Sequence, residues 1–334
     1  MSSKINKLLV DTSKEINQEI RNMFSSQVQP SDLYMASTHL INAGGKRFRP
    51  FLVIKSCELV GGKRENALQI AAAIEFIHNF TLIHDDIMDR DEKRRGVPSV
   101  HVLWGIPIAL LSGDLLFAKA YETIINHAKT HQTPIRRTLK IIDFITQATI
   151  SLCEGQALDM LFESMFEVSE REYIRMISKK TAALMEAAAK SGAIIGGGNY
   201  HQVEKLGKFA VYIGLGFQII DDVLGLTADE QVLGKPVGSD LREGKRTLIL
   251  IHALSQANKT QRKQIVSILG DNNASPNQIN IIINLIQKLG SIEYATRKAE
   301  KYIEKAKTQL SIFPSSRDKE VLSDLCNYII ERKY

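Results

Sequence analysis

The feature of this sequence that most constrains its fold is the absence of proline between Pro134 and Pro236. Proline interrupts a helix because it lacks an N–H donor and its ring clashes with the preceding turn. The 101 intervening residues are rich in Ala, Leu, Glu and Lys, which favour helices. Strand-like alternation is scarce, so the sequence predicts an all-α fold. Apolar residues recur at helical spacing in segments 67–89, 109–128, 135–163, 171–195, 204–224 and 277–310.

The segments between these predicted helices are short and contain glycine, proline or polar residues. None has the length of a linker between domains, so we expect a single domain over residues 1–334. Residues 269–278 read as a polar surface turn that precedes a final helical hairpin. The other predicted breaks are 42–50, 61–63, 94–101, 196–198 and 227–246.

Charge and hydropathy indicate whether the protein binds nucleic acid or spans a membrane. The net charge is +6, but the basic residues are spread along the chain, which argues against a nucleic-acid partner. Uncharged runs such as 102–113 and 191–203 end after about a dozen residues, whereas a membrane-spanning helix needs about 20. We therefore expect a cytoplasmic protein without a transmembrane segment.

The three cysteines, Cys57, Cys153 and Cys326, are isolated from one another in the sequence. They lack the C-x-x-C spacing of zinc or redox sites, and they do not form a disulfide framework. We expect all three to be buried thiols.

An acidic motif, DDIMD, occupies residues 85–89. On a helix, Asp85 and Asp89 project from the same face, where like charges repel unless a cation lies between them. Asp86 lies beside Asp85 on a neighbouring line of the surface. The preceding residues are mostly apolar, so the acids stand where a buried helix emerges. Taken alone, the motif also fits a solvated helix end.

A second acidic pair makes a metal site the better interpretation. Asp221 and Asp222 lie near the end of the apolar segment 211–226, and unpaired carboxylates are costly to bury. If two such helix ends faced each other across a cavity, their carboxylates would suit Mg²⁺. This ion takes a few carboxylate oxygens and completes its shell with water and substrate phosphates.

Basic residues recur in the breaks between helices. Glycines beside a lysine allow backbone amides to approach a phosphate, and arginine forks bind phosphate oxygens in pairs. Each of these residues alone also fits a solvated loop, but together with two acidic pairs they predict diphosphate binding. They are Lys46, Arg47, Arg49, Arg94, Arg95, Lys180, Lys235 and Lys245.

Two further polar residues, His78 and Gln218, lie on apolar helical faces, where each could also be a core residue with one hydrogen bond. His78 precedes Asp85 by seven residues, which is two turns or about 10 Å along a helix. Gln218 precedes Asp221 by one turn. Both therefore line the side on which the carboxylates open.

With these motifs in this order, the sequence resembles the trans-isoprenyl diphosphate synthases of the polyprenyl synthetase family. It is similar in particular to archaeal short-chain enzymes that make geranylgeranyl diphosphate. The resemblance runs over nearly the whole chain, from GGKRFRP (44–50) to LREGKRT (241–247). It implies a helical bundle around a central apolar cavity and a homodimer. It also implies a prenyltransferase that joins isopentenyl diphosphate to dimethylallyl, geranyl or farnesyl diphosphate.

The resemblance also implies roles for individual residues. Asp85 and Asp89 would bind two Mg²⁺ ions, Asp221 would bind a third, and Asp86 and Asp222 would support them directly or through water. The allylic diphosphate would be held by Arg94, Lys180, Lys235 and, as an assisting residue, Lys245. Isopentenyl diphosphate would be held by Lys46, Arg49, His78 and Arg95, and the cationic carbon would lie near Thr181 and Gln218.

The chemistry implied is electrostatic. Metals and cations would weaken the bond to departing pyrophosphate and leave an allylic cation, which the isopentenyl double bond attacks. Pyrophosphate would remove the proton that follows, and an apolar cavity would exclude water. One departure from the family is Gly225, which takes the fifth place of a second D-D-x-x-D motif. We keep the third metal because Asp221 is present, and Asp229 is a weak candidate substitute.

Product length is predicted by the residues just before the first motif. Phe80 precedes Asp85 by five positions, or about 7.5 Å along a helix, and Thr81 beside it is small. In the family, an aromatic residue there, with no insertion in the motif, resembles the C20 type. Phe80 also fits an ordinary core aromatic, and farnesyl or longer products stay open.

Three other functions remain open from the sequence. A class I terpene cyclase also uses D-D-x-x-D and magnesium, but GGKRFRP, His78 and Arg95 argue for a second diphosphate. A non-catalytic partner subunit would typically lose aspartates, whereas both acidic pairs are present. A helical scaffold without a ligand leaves the acidic pairs unexplained.

Overall fold

The computed structural model describes residues 2–24, 29–165, 167–228 and 237–331 and confirms the all-α prediction. Within these ranges the strands are two residues long: β1 (Lys93–Arg94) pairs antiparallel with β2 (Val97–Pro98). The helices are α1 Ser2–Met23, α2 Ser31–Asn42, α3 Phe48–Leu59, α4 Glu65–Met88, α5 Val100–Thr130, α6 Ile135–Ser164, α7 Glu170–Ile177, a π-helix Ser178–Ala182, α8 Ala183–Ile195, α9 Tyr200–Thr227, α10 Ser239–Glu243, α11 Leu248–Gln256, α12 Lys259–Val266, α13 Pro276–Lys288, α14 Ser291–Gln309, a 3₁₀-helix Leu310–Ile312 and α15 Arg317–Glu331.

The chain divides into two compact units. The first comprises Met1–Ile150, Leu184–Ala210 and Gln309–Leu325, and the second comprises Ser151–Ala183, Val211–Thr308 and Cys326–Tyr334. The expectation of one domain over 1–334 stays a prediction.

In the first unit, α4 is the central helix and packs against α1, α3 and α5. Its middle turns bury Ile74, Phe76 and Ile77 completely. Close helix packing depends on glycine: a Cβ atom on Gly192 of α8 would lie 2.0 Å from the carbonyl oxygen of Val53. The site residues at the end of α4 therefore start from a rigid, close-packed helix.

In the second unit, the end of α9 packs among helices α7, α11, α13 and α14. Its core includes Tyr173, Ile219, Leu248 and Ile286, each at most 1% exposed. The second acidic pair lies at this buried end of α9.

Residues 277–310 form two helices, as the predicted helical hairpin requires, because Leu289 and Gly290 end α13 and Gly290 takes a φ of 70°. Two other sequence interpretations need correction. Segment 171–195 is interrupted by the π-helix Ser178–Ala182. Cys57 and Cys326 are buried as expected, but Cys153 is exposed, since it lies on the outer face of α6.

Two helices are more apolar over their length than the short uncharged runs in the sequence suggested. Helices α5 and α9 each contain an 18-residue window that is apolar enough to cross a membrane. The window in α9 is 67% buried, as in a core helix of a globular protein, and the window in α5 is 28% buried.

Candidate active site

The first acidic motif forms the C-terminal end of α4. The helix ends at Met88, and the backbone N–H of Asp89 donates to the carbonyl of Asp85 at 2.8 Å. Asp85 and Asp89 are both half-buried, whereas Asp86 is fully buried. One turn of helix separates Asp85 from Asp89, as the sequence predicts.

Asp86 is held by Arg94. The hairpin β1–β2 brings Arg94 back over the helix end, where its Nε donates to Asp86 Oδ1 at 2.6 Å. Its Nη2 lies 2.5 Å from the same oxygen and 3.1 Å from Asp91. Asp86 therefore fixes the position of Arg94, which fits a supporting role better than direct metal ligation.

A basic cluster lies beside this motif in the first unit. Nη1 of Arg49 lies 3.2 Å from Nε2 of His78, and Arg95 donates to the carbonyls of Leu40 and Gly44 at 2.6 and 2.7 Å. Burial, followed by the charge of Arg49, holds the pKa of His78 well below its ordinary value. The imidazole is therefore neutral, and the structure brings Arg49, His78 and Arg95 together as predicted for one subsite.

Lys46, the fourth residue predicted for this subsite, is exposed on the loop that precedes α3. Gly44 and Gly45 before it have φ angles of 103° and 132°, a conformation that glycine adopts readily. At Gly45 a Cβ atom would also lie 2.9 Å from Arg47 and 3.1 Å from Arg95. These glycines allow the loop to approach the basic cluster closely.

An open cavity of about 240 Å³ lies in the second unit. It brings together Lys180, Thr181, Gln218 and both residues of the second acidic pair, all predicted as site residues. Its lining is Asp159, Tyr173, Met176, Ile177, Lys180, Thr181, Gln218, Asp221, Asp222, Gly225, Ser239, Asp240, Lys245, Arg246 and Thr247.

A chain of hydrogen bonds joins residues that line this cavity. Thr181 Oγ1 donates to Gln218 Oε1 at 2.7 Å, and Gln218 Nε2 donates to Asp222 Oδ1 at 2.9 Å. The hydroxyl of Tyr173 donates to the other carboxylate oxygen of Asp222 at 2.6 Å. Burial, followed by the charge of Asp240, raises the pKa of Asp222 to about 8. Asp222 thus orients Gln218 and, through it, Thr181.

The π-helix sets the position of Lys180. The Nζ atom of Lys180 lies 2.6 Å from Oδ2 of Asp159 on α6. A Cβ atom on Gly155 of α6 would lie only 2.3 Å from the backbone nitrogen of Lys180. Single π-turns are frequent at functional sites because they displace side chains from the regular helical register. Here the displaced residues are Lys180 and Thr181.

The cavity residues that sequence reasoning missed include Asp159, Tyr173 and Asp240. The only signal for Asp240 is its place in the charged, glycine-containing break 227–246, which also carries three other acidic residues. Lys245 lies in the cavity wall and pairs with Glu243 at 2.5 Å. Lys235 and Asp229 lie outside the described residues.

The donor set of the cavity fits magnesium. Asp221, Asp222 and Asp240 bring carboxylates close enough for Asp240 and Asp221 to raise the pKa of Asp222. A cation would relieve this repulsion, and carboxylate oxygens are the ligands that Mg²⁺ prefers. Within the described ranges, no three His, Cys, Asp or Glu side chains surround a single preformed metal position. That arrangement suits an ion that takes much of its shell from water and phosphate.

The predicted chain-length residues lie on α4 against α5. The ring of Phe80 contacts the ring of His84 edge-on, with the ring centroids 4.9 Å apart, and its centroid lies 5.5 Å from that of Phe117. Phe117 in turn contacts Tyr121 at 5.1 Å. Thr81 donates to the carbonyl of His78 at 2.8 Å. Phe80 thus belongs to an aromatic row that the spacing from Asp85 did not reveal.

Comparison with known proteins agrees with this architecture. A short chain isoprenyl diphosphate synthase of Methanothermobacter thermautotrophicus is 45% identical over 92% of this chain and 93% of its own. The geranylgeranyl pyrophosphate synthetase structure from Pyrococcus horikoshii matches with a TM-score of 0.92 at 42% identity, covering 99% of each chain. A geranylgeranyl pyrophosphate synthase of Corynebacterium glutamicum, complexed with isoprenyl diphosphate and magnesium, matches with a TM-score of 0.86 at 26% identity, covering 99% of each chain.

The family assignment rests on sequence as well as on structure. The sequence profile described as polyprenyl synthetase matches residues 30–286, which include both acidic pairs, the basic cluster and the cavity residues. The chain therefore belongs to the polyprenyl synthetase family and is a prenyltransferase.

Proposed function

We propose that this protein joins isopentenyl diphosphate head-to-tail to an allylic diphosphate. The observation that carries the proposal is the basic cluster of Arg49, His78 and Arg95, which is distinct from the acidic motifs. An enzyme that ionises one diphosphate needs the acidic motifs, whereas a second diphosphate substrate needs anion-binding groups of its own. The cluster supplies forked arginine donors and a neutral imidazole for that second substrate.

The allylic diphosphate would be bound by magnesium and by basic side chains. In the first unit, Asp85 and Asp89 would hold Mg²⁺, and Arg94 would contact phosphate oxygens. In the second unit, Asp221 would hold Mg²⁺ and Lys180 would contact phosphate. When bound, the ions supply positive charge that stabilises departing pyrophosphate. We propose three ions per active site, as the resemblance implies.

The remaining residues would act on the reacting carbon atoms. Thr181 Oγ1 and Gln218 Oε1 belong to residues that line the cavity, where their oxygens would stabilise an allylic cation electrostatically. Asp222 and Tyr173 fix the amide of Gln218 so that this oxygen does not reorient during the reaction. Lys235 and Lys245 remain proposed contacts of the allylic diphosphate.

We propose that the main product is the C20 compound geranylgeranyl diphosphate. Phe80 supports this, because its ring lies about 7.5 Å before Asp85 along α4 and is braced by His84 and Phe117. A braced aromatic row can stop a growing apolar chain more firmly than a single exposed ring. The similar Pyrococcus horikoshii protein is named a geranylgeranyl pyrophosphate synthetase, which supports a C20 product.

Chain-length analysis tests the proposed function. The purified protein would be incubated with Mg²⁺, radiolabelled isopentenyl diphosphate and each of the three allylic primers. We expect C20 diphosphate as the main labelled product with every primer. Release of hydrocarbon from an allylic diphosphate alone would instead indicate a cyclase. Absence of activity until a second protein is added would indicate a partner subunit.

We also propose a cytoplasmic homodimer. Helix α5 carries large apolar side chains that are 42–52% exposed, and α6 adds Leu139 and Ile150 at 57% and 49%. Large apolar side chains exposed in this number can mark an interaction site. A second copy of the chain is the proposed occupant, and sedimentation analysis should give twice the monomer mass. The exposed residues on α5 are Val102, Leu103, Ile106, Leu110, Leu111 and Ile125.

A further inference from the structure

Arg47 lies in the sequence between Lys46 and Arg49 but does not share their environment. Its backbone is left-handed, with a φ of 49°, and its side chain is completely buried. Its guanidinium donates to the carbonyls of Gly44 at 2.9 Å and Ile41 at 2.5 Å. Arg47 is therefore directed into the protein, where it holds the loop that carries Lys46.

Two further side chains anchor Arg47. Its Nη1 donates to Glu75 of α4 at 3.0 Å, and its Nε donates to Asn17 of α1 at 3.0 Å. The Glu75 carboxylate is 1% exposed, so it provides a buried counter-charge. Breaking such a pair leaves an uncompensated buried charge, which is strongly unfavourable. The loop before α3 is thus tied to both α1 and α4.

The same polar network reaches Arg95. Asn79, one turn after Glu75, donates to Glu75 Oε1 at 2.9 Å and accepts from Arg95 Nη1 at 3.4 Å. The carbonyl of Gly44 accepts from Arg95 at 2.7 Å as well as from Arg47. One carbonyl therefore joins the buried arginine to an arginine of the proposed substrate site.

The electrostatic arrangement agrees with a positioning role. Arg47, Arg49 and Arg95 converge near His78, and each lowers the pKa of His78. Without a counter-charge these guanidinium groups would repel one another. The Glu75 carboxylate, 3.0 Å from Arg47 Nη1, offsets part of this repulsion.

We propose that Asn17, Arg47, Glu75 and Asn79 form a positioning frame for the isopentenyl diphosphate subsite. The inference rests on the proposed function, because it assigns the basic cluster to that substrate. The frame makes no contact with the diphosphate itself. It fixes the Gly44 carbonyl and the Arg95 guanidinium, and hence the spacing between Arg95 and the loop that carries Lys46.

Substitution of Asn17 tests the frame with least disturbance, because this residue is half-buried on α1. In Asn17→Leu, Arg47 Nε loses its acceptor, whereas Asn17→Asp keeps an acceptor and adds a favourable charge. We expect Asn17→Leu to raise KM for isopentenyl diphosphate about 10-fold, with kcat and KM for the allylic substrate within about twofold. Asn17→Asp should restore the wild-type KM. Glu75→Gln, which retains shape but removes the counter-charge, should show the same selective rise.

The matched control is Glu15→Gln, which breaks an α1 ion pair with Arg64 at 2.6 Å outside the frame. The frame is refuted if Asn17→Leu and the control change KM equally, or if both substrates weaken together in Asn17→Leu. An unchanged KM in Asn17→Leu would also refute it, whatever the folding of Glu75→Gln. If the wild-type protein bound isopentenyl diphosphate in calorimetry but formed no prenyl product, the proposed function would fail instead. That result is separate from any comparison among the variants.

Discussion

Asp240 Oδ2 lies 3.4 Å from the position that a Cβ atom would occupy on Gly225. The carboxylate of Asp240 thus stands next to the place where a second D-D-x-x-D motif would carry its last aspartate. We expect Asp240→Asn to raise the Mg²⁺ concentration for half-maximal activity about 10-fold, as loss of a supporting group around a metal typically does. The same shift should appear when Mg²⁺ and pyrophosphate stabilise the protein in thermal melts.

The control for this experiment is Asp229→Asn, which removes the substitute that the sequence alone suggested. Equal shifts in the two variants would remove the special role of Asp240. A shift in Asp229→Asn alone would show that the carboxylate nearer in sequence supports the metal.

Tyr173 provides a test of the hydrogen-bond chain. Tyr173→Phe leaves the buried Asp222 Oδ2 without its donor, which we expect to lower the free energy of unfolding by about 1–3 kcal/mol. Urea unfolding measures this loss. Tyr294→Phe is the matched control, because its hydroxyl donates to Glu170, which also pairs with Lys298. The control should lose less than about 1 kcal/mol of the free energy of unfolding. An equal loss in both variants would mean that the buried Asp222 does not need the hydrogen bond from Tyr173.

The product length should depend on Phe80. We expect Phe80→Ala to move the main product beyond C20, because it removes the ring in front of Phe117 and opens the aromatic row. Chromatography of labelled products measures the distribution. Phe24→Ala is the control, since that ring contacts Tyr34 and Phe76 instead. An unchanged distribution in Phe80→Ala would mean that Phe80 does not limit the product.

The sequence was sufficient for features that depend on local periodicity. Proline positions and apolar spacing located the long helices, and the spacing of Asp85 and Asp89 placed both on one face. Periodicity did not group Thr181 with Gln218; that prediction came from the family resemblance alone. These predictions succeed because helix geometry converts sequence distance directly into spatial direction.

The missed features depend on tertiary contacts or on local backbone exceptions. Asp159 and Tyr173 are far in sequence from Asp222, so periodicity carries no information about their approach. At the π-helix, Gly155 allows α6 to approach Lys180 closely, a tertiary contact that no local pattern records. Arg47 faces inward because of its left-handed backbone, whereas its neighbours in GGKRFRP suggested a phosphate contact.

The acid stability should depend on His127. This ring is 1% exposed and stacks on His131, with the ring centroids 4.2 Å apart. Burial, followed by the charge of His131, lowers the pKa of His127 from 6.5 to about 4. Between these values the unfolded chain binds a proton that the folded protein does not bind. The contribution of His127 to the free energy of unfolding is therefore fully present above about pH 6.5. It is lost as the pH decreases towards 4, by up to about 1.4 kcal/mol per pH unit.

Chemical unfolding at several pH values measures this slope. His127→Phe should flatten it between pH 6.5 and 4, although His78, whose pKa is also lowered, retains part of the dependence. His131→Gln, at an exposed position, should leave most of the slope in place. A slope unchanged in His127→Phe would show that the two states titrate His127 alike.

Gly155 links helix packing to the position of Lys180. Alanine favours a helix over glycine by about 1 kcal/mol, but in Gly155→Ala the new Cβ would lie 2.3 Å from Lys180 N, a backbone atom that cannot move alone. We expect the clash to prevail, with a loss of about 1–3 kcal/mol in the free energy of unfolding and a lower kcat. Gly207→Ala is the control, since its Cβ meets only side-chain atoms of Lys190 rather than backbone and should change stability by less than about 1 kcal/mol. If Gly155→Ala behaved like this control in both measurements, close packing of α6 against the π-helix would not be what places Lys180.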